Sequence, residues 1–154
     1  MGRIDDRLKE LGVQLPAPRR PLANYVPAVR TGNLVYTAGQ VSGLGTDGRQ
    51  FKGRLGAEVS VEEGREAAKV CALNCLTALL TVIDSLDQVK RIVRVGGFVN
   101  SAPEFDQQPI VMNGASDFLV EVFGESAKHA RTAIGVNVLP HNYSVEVDLI
   151  AEVE

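Results

Sequence analysis

The chain has 154 residues, 45% of them hydrophobic, with 16 Lys and Arg against 19 Asp and Glu and a formal net charge of −3. At roughly 150 residues one domain can bury about two-thirds of its unfolded surface, so neither disulfides nor a structural metal is required. Basic groups are as short as Arg19-Arg20 and Lys90-Arg91, which argues against nucleic acid as a partner. The longest charge-free apolar stretch, Val70 to Ile83, is too short to cross a bilayer, and the charged opening from Met1 to Leu11 is not a secretory leader, so the expected compartment is cytoplasmic.

In chain order, Ile4, Leu8 and Leu11 recur at helical spacing before Gly12 and predict a short appended helix. The prolines at 16, 18 and 21 make the following segment an extended connector, which sets residues 1–23 apart as an extension and 24–154 as the main domain. From Tyr25 to Gln40, β-branched and aromatic residues flank the turn signal Thr31-Gly32-Asn33 and predict a hairpin. Ser42 to Gly56, rich in glycine, reads as a mobile loop or irregular hairpin tip. Ser60-Val61-Glu62-Glu63 fits a capping box that opens a helix reaching about Asp84, with an apolar surface broad enough to lie on a sheet. Val89 to Asn100 reads as a strand whose Gly96-Gly97 pair marks a bulge or a close backbone approach. A second helix is expected from Gln108 to Phe123, with Pro109 in its first turn and Gly124 as its stop. Two strands, Ala130–Val138 and Tyr143–Val153, close the chain. The order ββαβαββ implies an α+β sheet with its two helices packed on one face.

Several apparent motifs carry no chemistry. Gly43-Leu44-Gly45-Thr46-Asp47-Gly48 matches G-x-G-x-x-G, but the dinucleotide fingerprint needs its last glycine to open a helix, and the helix signal begins only near Ser60. Cys71 and Cys75, four apart on a helix, read as small core residues. Neither His129 nor His141 forms a metal-ligand spacing with them, so neither a metal nor a cofactor is expected.

The last two strands are more informative. In Arg131-Thr132-Ala133-Ile134-Gly135-Val136, alternation places a lone arginine on a face floored by Ala133 and Gly135. In the final strand Tyr143, Val145, Val147, Leu149 and Val153 form the apolar side and leave Glu146 and Asp148 opposite. If these strands pair as a hairpin through Leu139-Pro140-His141-Asn142, Arg131 and Glu146 share one face, about 13 Å apart along the ladder. A guanidinium and a carboxylate across such a gap suit two-pronged capture of a small carboxylate beside a group that orients water or moves a proton. A lone Arg or Glu on a polar sheet face is ordinarily just solvated, so spacing alone leaves the pair unassigned.

Leu34-Val35-Tyr36-Thr37-Ala38-Gly39-Gln40, then Ala130-Arg131-Thr132-Ala133, Leu139-Pro140 and Val145-Glu146-Val147, together resemble the RidA family of reactive-intermediate deaminases, also called the YjgF or L-PSP endoribonuclease-like family. The resemblance runs from about Tyr25 to Glu152. It implies a chorismate-mutase-like fold assembled as a homotrimer with ligand clefts between subunits, and hydrolysis of enamines and imines of the 2-aminoacrylate type to 2-keto acids and ammonia. Carried over by position, it gives Arg131 the substrate carboxylate and Glu146 the attacking water. It adds Tyr25 from a neighbouring subunit, backbone contact at Gly39, Asn113 near the site, and Ala133 in the cleft. A partner subunit over Arg131 would then explain the small residues beside it. The family's usual serine is Ala38 here and its frequent cysteine is Ala133, and with the extension these departures suggest a divergent subfamily. A non-catalytic regulatory module that binds small carboxylates, and the ribonuclease of one family name, are the alternative readings.

Overall fold

The structure, a computed structural model, describes every residue except Met1, Arg19, Leu22 and 44–47. The centre of the G-x-G-x-x-G match thus lies outside the described residues. The elements in order are α1 (Arg3–Glu10), β1 (Ala28–Thr31), β2 (Leu34–Thr37), β3 (Gln40–Val41), α2 (Val61–Leu79), β4 (Val89–Asn100), α3 (Gln108–Phe123), β5 (Ala130–Val136) and β6 (Val145–Val153), with short 3-10 turns between some of them. They form the mixed α+β architecture that the patterning implies: a six-stranded sheet in the order β1-β2-β6-β4-β5, with β3 also paired to β6.

Local chemistry sets the helix ends. The Ser60 hydroxyl accepts from the Glu63 amide at 3.1 Å and caps α2. The helix stops at Leu79, short of the expected Asp84. There the Thr81 hydroxyl donates to the Ala78 carbonyl at 2.7 Å, and the β-branched run Thr81-Val82-Ile83 leaves the helical path. Cys71 and Cys75 are fully buried under the sheet. Their thiols donate to the Val145 and Val147 carbonyls, and burial pushes Cys75 up to about 12. The α1 helix is not a loose appendage, because Ile4 and Leu8 are buried in the same core as the sheet. The glycine-rich segment is likewise anchored where it is described. Leu55 is fully buried, and its amide donates to the Asn100 carbonyl at 2.8 Å while its carbonyl accepts from Ala102 at 2.9 Å.

The hairpin expected between β5 and β6 does not form. β5 runs parallel to β4, and β6 runs antiparallel to β4 on its other side. The reason is the helix between β4 and β5: a strand that returns over a helix lies parallel beside its predecessor, and β6 then fills the slot between β4 and β2. The chain crosses the end of β4 through a turn in which His141 and Asn142 take positive φ. Asn100 secures that crossing by donating from Nδ2 to Asn142 Oδ1 and to the Tyr143 carbonyl, both at 3.0 Å.

Register fixes the faces. Val95 lies level with both Arg131 and Leu149, and Phe98 with both Ile134 and Glu146. Val95 and Leu149 are buried beneath α2 and α3, so Arg131 starts on the helix side of the sheet and Glu146 on the other. The side chains of β5 on the helix side are small because α3 of the same chain packs there. A Cβ on Gly97 would meet Met112 Sδ, and one on Gly135 would meet Gln108 Nε2 at 2.7 Å.

Candidate functional site

Arg131 stands on the edge strand and reaches over α3. Its Nη1 donates to Asn113 Oδ1 at 2.9 Å and to Ser116 Oγ at 3.1 Å, and its Nη2 donates to the Pro109 carbonyl at 3.3 Å. Three of the guanidinium's five N–H donors are thereby used, leaving Nε–H and one Nη2–H. Among the described residues no carboxylate pairs with it. Asn113 and Ser116 lie three apart on α3, the spacing that puts two side chains on one helix face. Ala133, two residues on, packs against the core from the same side.

Glu146 projects from the opposite face, two strands away. Strand spacing and rise put its Cα roughly 14 Å from that of Arg131. Its carboxyl lies against Gly39, where a Cβ would come within 3.0 Å of it. Burial, then the neighbouring Asp148, raises its pKa from the usual carboxylate range. Asp148 is itself raised by burial, with Arg94 and the Gly96 amide opposing. Tyr25 is 58% exposed beside this region. A cavity of about 170 Å³ between the proline-rich arm, β3 and α2 is lined by Tyr25 and Gly39 with Asn74 and Thr77.

The six candidate residues therefore fall into two groups. Arg131, Asn113 and Ala133 gather at the β5 edge over α3, while Glu146 and Gly39 meet near β3 with Tyr25 beside them. Within one chain the structure does not bring Arg131 to Glu146, contrary to the shared face that a hairpin would give. No three His, Cys, Asp or Glu side chains converge as metal ligands among the described residues.

The sequence model of the family described as "YjgF/chorismate_mutase-like, putative endoribonuclease" matches residues 5–153. The chain belongs to this family. Protein TCP17 of Trypanosoma cruzi is 43% identical over 152 residues, spanning 98% of this chain and 94% of its own. Among solved structures, the YjgF-family chain is similar to Atu1372 of Agrobacterium tumefaciens, described as of unknown function, at 42% identity with a TM-score of 0.89 over 98% of this chain and 93% of that one. A Shewanella oneidensis protein, described in the same endoribonuclease terms as the family, is 33% identical with a TM-score of 0.92 over 99% and 100% of the two chains. The family match starts inside α1, in keeping with the burial of Ile4 and Leu8 in the common core.

Sequence reasoning about this YjgF-family chain passed over two neighbours of Arg131. Ser116 and His129 join it through a hydroxyl–imidazole contact of 2.9 Å. The available signal was the polar pair Asn113 and Ser116 at helical spacing on α3.

Proposed function

We propose that the chain hydrolyses small enamine or imine carboxylates of the 2-aminoacrylate type, in clefts between the subunits of a homotrimer. In this reading Arg131 and Asn113 of one subunit face Glu146, Gly39 and Tyr25 of its neighbour. The observation that carries it is the half-buried Arg131 guanidinium, held by three neutral acceptors with two N–H groups to spare and no carboxylate paired with it among the described residues. A cation so placed is matched to the two oxygens of a carboxylate. The opposite-face placement of Arg131 and Glu146 supports a site built from two copies, since one chain cannot close both around one small molecule.

The chemistry follows from those groups. The enamine tautomerises to an imine, and a water oxygen bonds to the imine carbon as the Glu146 carboxylate takes the water's proton. The imine nitrogen receives that proton to complete the carbinolamine. The carbinolamine hydroxyl proton then passes through the Glu146 carboxylate to the nitrogen, the C–N bond breaks as the C=O bond forms, and ammonia and a 2-keto acid leave. A carboxylate whose pKa is raised by burial is a stronger base than an ordinary one and takes the water's proton more readily. Ala38 and Ala133 contribute no hydroxyl or thiol, so this mechanism rests on the Arg–Glu pair.

The test couples the full chain to a pyridoxal-phosphate enzyme that releases 2-aminoacrylate and follows ammonia. Wild type should accelerate ammonia release, while Arg131→Ala and Glu146→Gln should lose about 10²–10⁴-fold of the effect. An undiminished rate in Arg131→Ala would overturn the proposal. Arg131-dependent binding of a 2-keto acid without turnover would assign the chain to the regulatory class instead.

A further inference from the structure

The bonds that orient Arg131 continue beyond the residues carried over from the family. Nη1 donates to Ser116 Oγ at 3.1 Å, Ser116 Oγ lies 2.9 Å from His129 Nε2, and His129 Nδ1 lies 2.6 Å from the Ala127 carbonyl. A carbonyl only accepts, so the Nδ1 position carries a proton. Burial, reinforced by the charge of Arg131 and opposed by the Ala127 contact, lowers the His129 pKa below its ordinary value, so the ring is neutral and Nε2 presents a lone pair. The Ser116 proton must then point at Nε2, which turns a hydroxyl lone pair toward Arg131. Every bond in the series has one direction: Arg131 to Ser116, Ser116 to His129, His129 to Ala127.

We propose that Ser116 and His129 are positioning residues, a relay that holds the Arg131 guanidinium so that Nε–H and the second Nη2–H stay available to the substrate carboxylate. The proposal rests on the reading of Arg131 as the carboxylate anchor. An arginine carries many rotamers, and affinity for a small anion depends on how few of them remain open before binding. Asn113 and Pro109 fix the guanidinium at two points. The hydroxyl adds a third, and it serves only while His129 keeps its proton turned away. Without the imidazole the Ser116 hydroxyl is a free rotor, whose hydrogen can face the guanidinium and remove the contact.

Pyruvate is the probe, titrated into the full chain by calorimetry, with KM and kcat measured in the coupled ammonia assay. Ser116→Ala and His129→Ala should each weaken pyruvate binding about tenfold and raise KM by a similar factor with little change in kcat, the pattern of lost carboxylate binding. Ser116→Thr keeps the hydroxyl and His129→Gln keeps an acceptor near Nε2, so both should recover most of the affinity. A purely structural role would lower the melting temperature of the alanine variants and leave their Kd unmoved. Arg131→Ala separates the two claims. If wild type does not bind pyruvate, or Arg131→Ala binds it equally well, the anchor reading fails. If Arg131→Ala loses binding while Ser116→Ala and His129→Ala keep the wild-type Kd, the relay alone is overturned. Should Ser116→Ala not fold, His129→Ala and His129→Gln carry the comparison.

Discussion

Glu146 illustrates how a residue suited to proton transfer weakens the fold that carries it. Its carboxyl is half-buried against Gly39, and burial followed by the charge of Asp148 raises its pKa above the ordinary 4.5. The charged form is thus disfavoured in the folded chain. Above the folded pKa, Glu146 subtracts stability; as the pH falls through that value toward 4.5, the folded state takes up its proton before the unfolded state does, and stability is regained. Glu146→Gln removes the charge and keeps the shape. It should therefore melt at a higher temperature than wild type at neutral pH, with the difference shrinking toward zero below pH 4.5, while turnover is lost. Melting curves across pH check this, and identical curves at neutral pH would show that the carboxylate costs the fold nothing. The same reasoning separates Glu146 from Arg131, whose three acceptors are neutral groups already committed to it.

Among the elements, α3 matters most, since it supplies Asn113 and Ser116 on one side and packs against α2 on another. Gly114 stands at that crossing, and a Cβ there would lie 2.0 Å from the Arg65 carbonyl oxygen, backbone against backbone. Gly114→Ala should force the helices apart, cost about 1–3 kcal/mol, and weaken carboxylate binding because Asn113 and Ser116 ride on the displaced turn. At Gly97 the obstacle is the Met112 thioether, a flexible side chain that can swing aside. Urea midpoints should fall further for Gly114→Ala than for Gly97→Ala, and the reverse order would contradict this account of the packing. These elements also show which parts of the fold can be read from sequence. Periodicity and capping place α3 at Gln108–Phe123 and put the start of α2 at Ser60, because both signals are local. Alternation in β6 correctly separates buried Val145, Val147 and Leu149 from Glu146. The partner of β5 is not legible, because adjacency along the chain is not adjacency in the sheet once α3 returns the strand parallel to β4. Alternation within β5 shows that Arg131, Ala133 and Gly135 share a face without telling which face it is. The branched Ile134 lies on the uncovered side at 43% exposed while Arg131 and Ala133 take the half-buried side, so hydrophobicity does not point to the covered face. Arg131 and Glu146 were thus legible as candidates, whereas their placement on opposite faces and the Ser116–His129 contact depend on tertiary packing.

At the scale of the whole molecule, one face of the sheet lies beneath the helices and the other carries Glu146, Asp148 and Arg94 among exposed apolar side chains. Val29 is 53% exposed, Tyr36 42% and Ile134 43%, and no helix among the described residues covers them. An apolar face of this kind marks a surface that another molecule covers. The proposed homotrimer would cover it with copies of itself and bring the two half-sites together across each boundary. Variants that cannot work alone should then work as mixtures. Arg131→Ala subunits keep Glu146, and Glu146→Gln subunits keep Arg131, so a cleft between the two kinds in the right order contains both intact groups. Random co-assembly from equal amounts should restore about a quarter of wild-type activity in the unfractionated mixture, since one in four ordered neighbour pairs has the productive arrangement, and about a third in trimers that contain both kinds, each with one productive boundary of three. Co-expression with two different tags, followed by purification on both, isolates mixed assemblies for the ammonia assay. Activity in these assemblies, with none in either variant alone, would assign the two groups to different subunits. Verified mixed assemblies that stay inactive would show that Arg131 and Glu146 do not meet across a boundary, and the inter-subunit cleft would have to be abandoned.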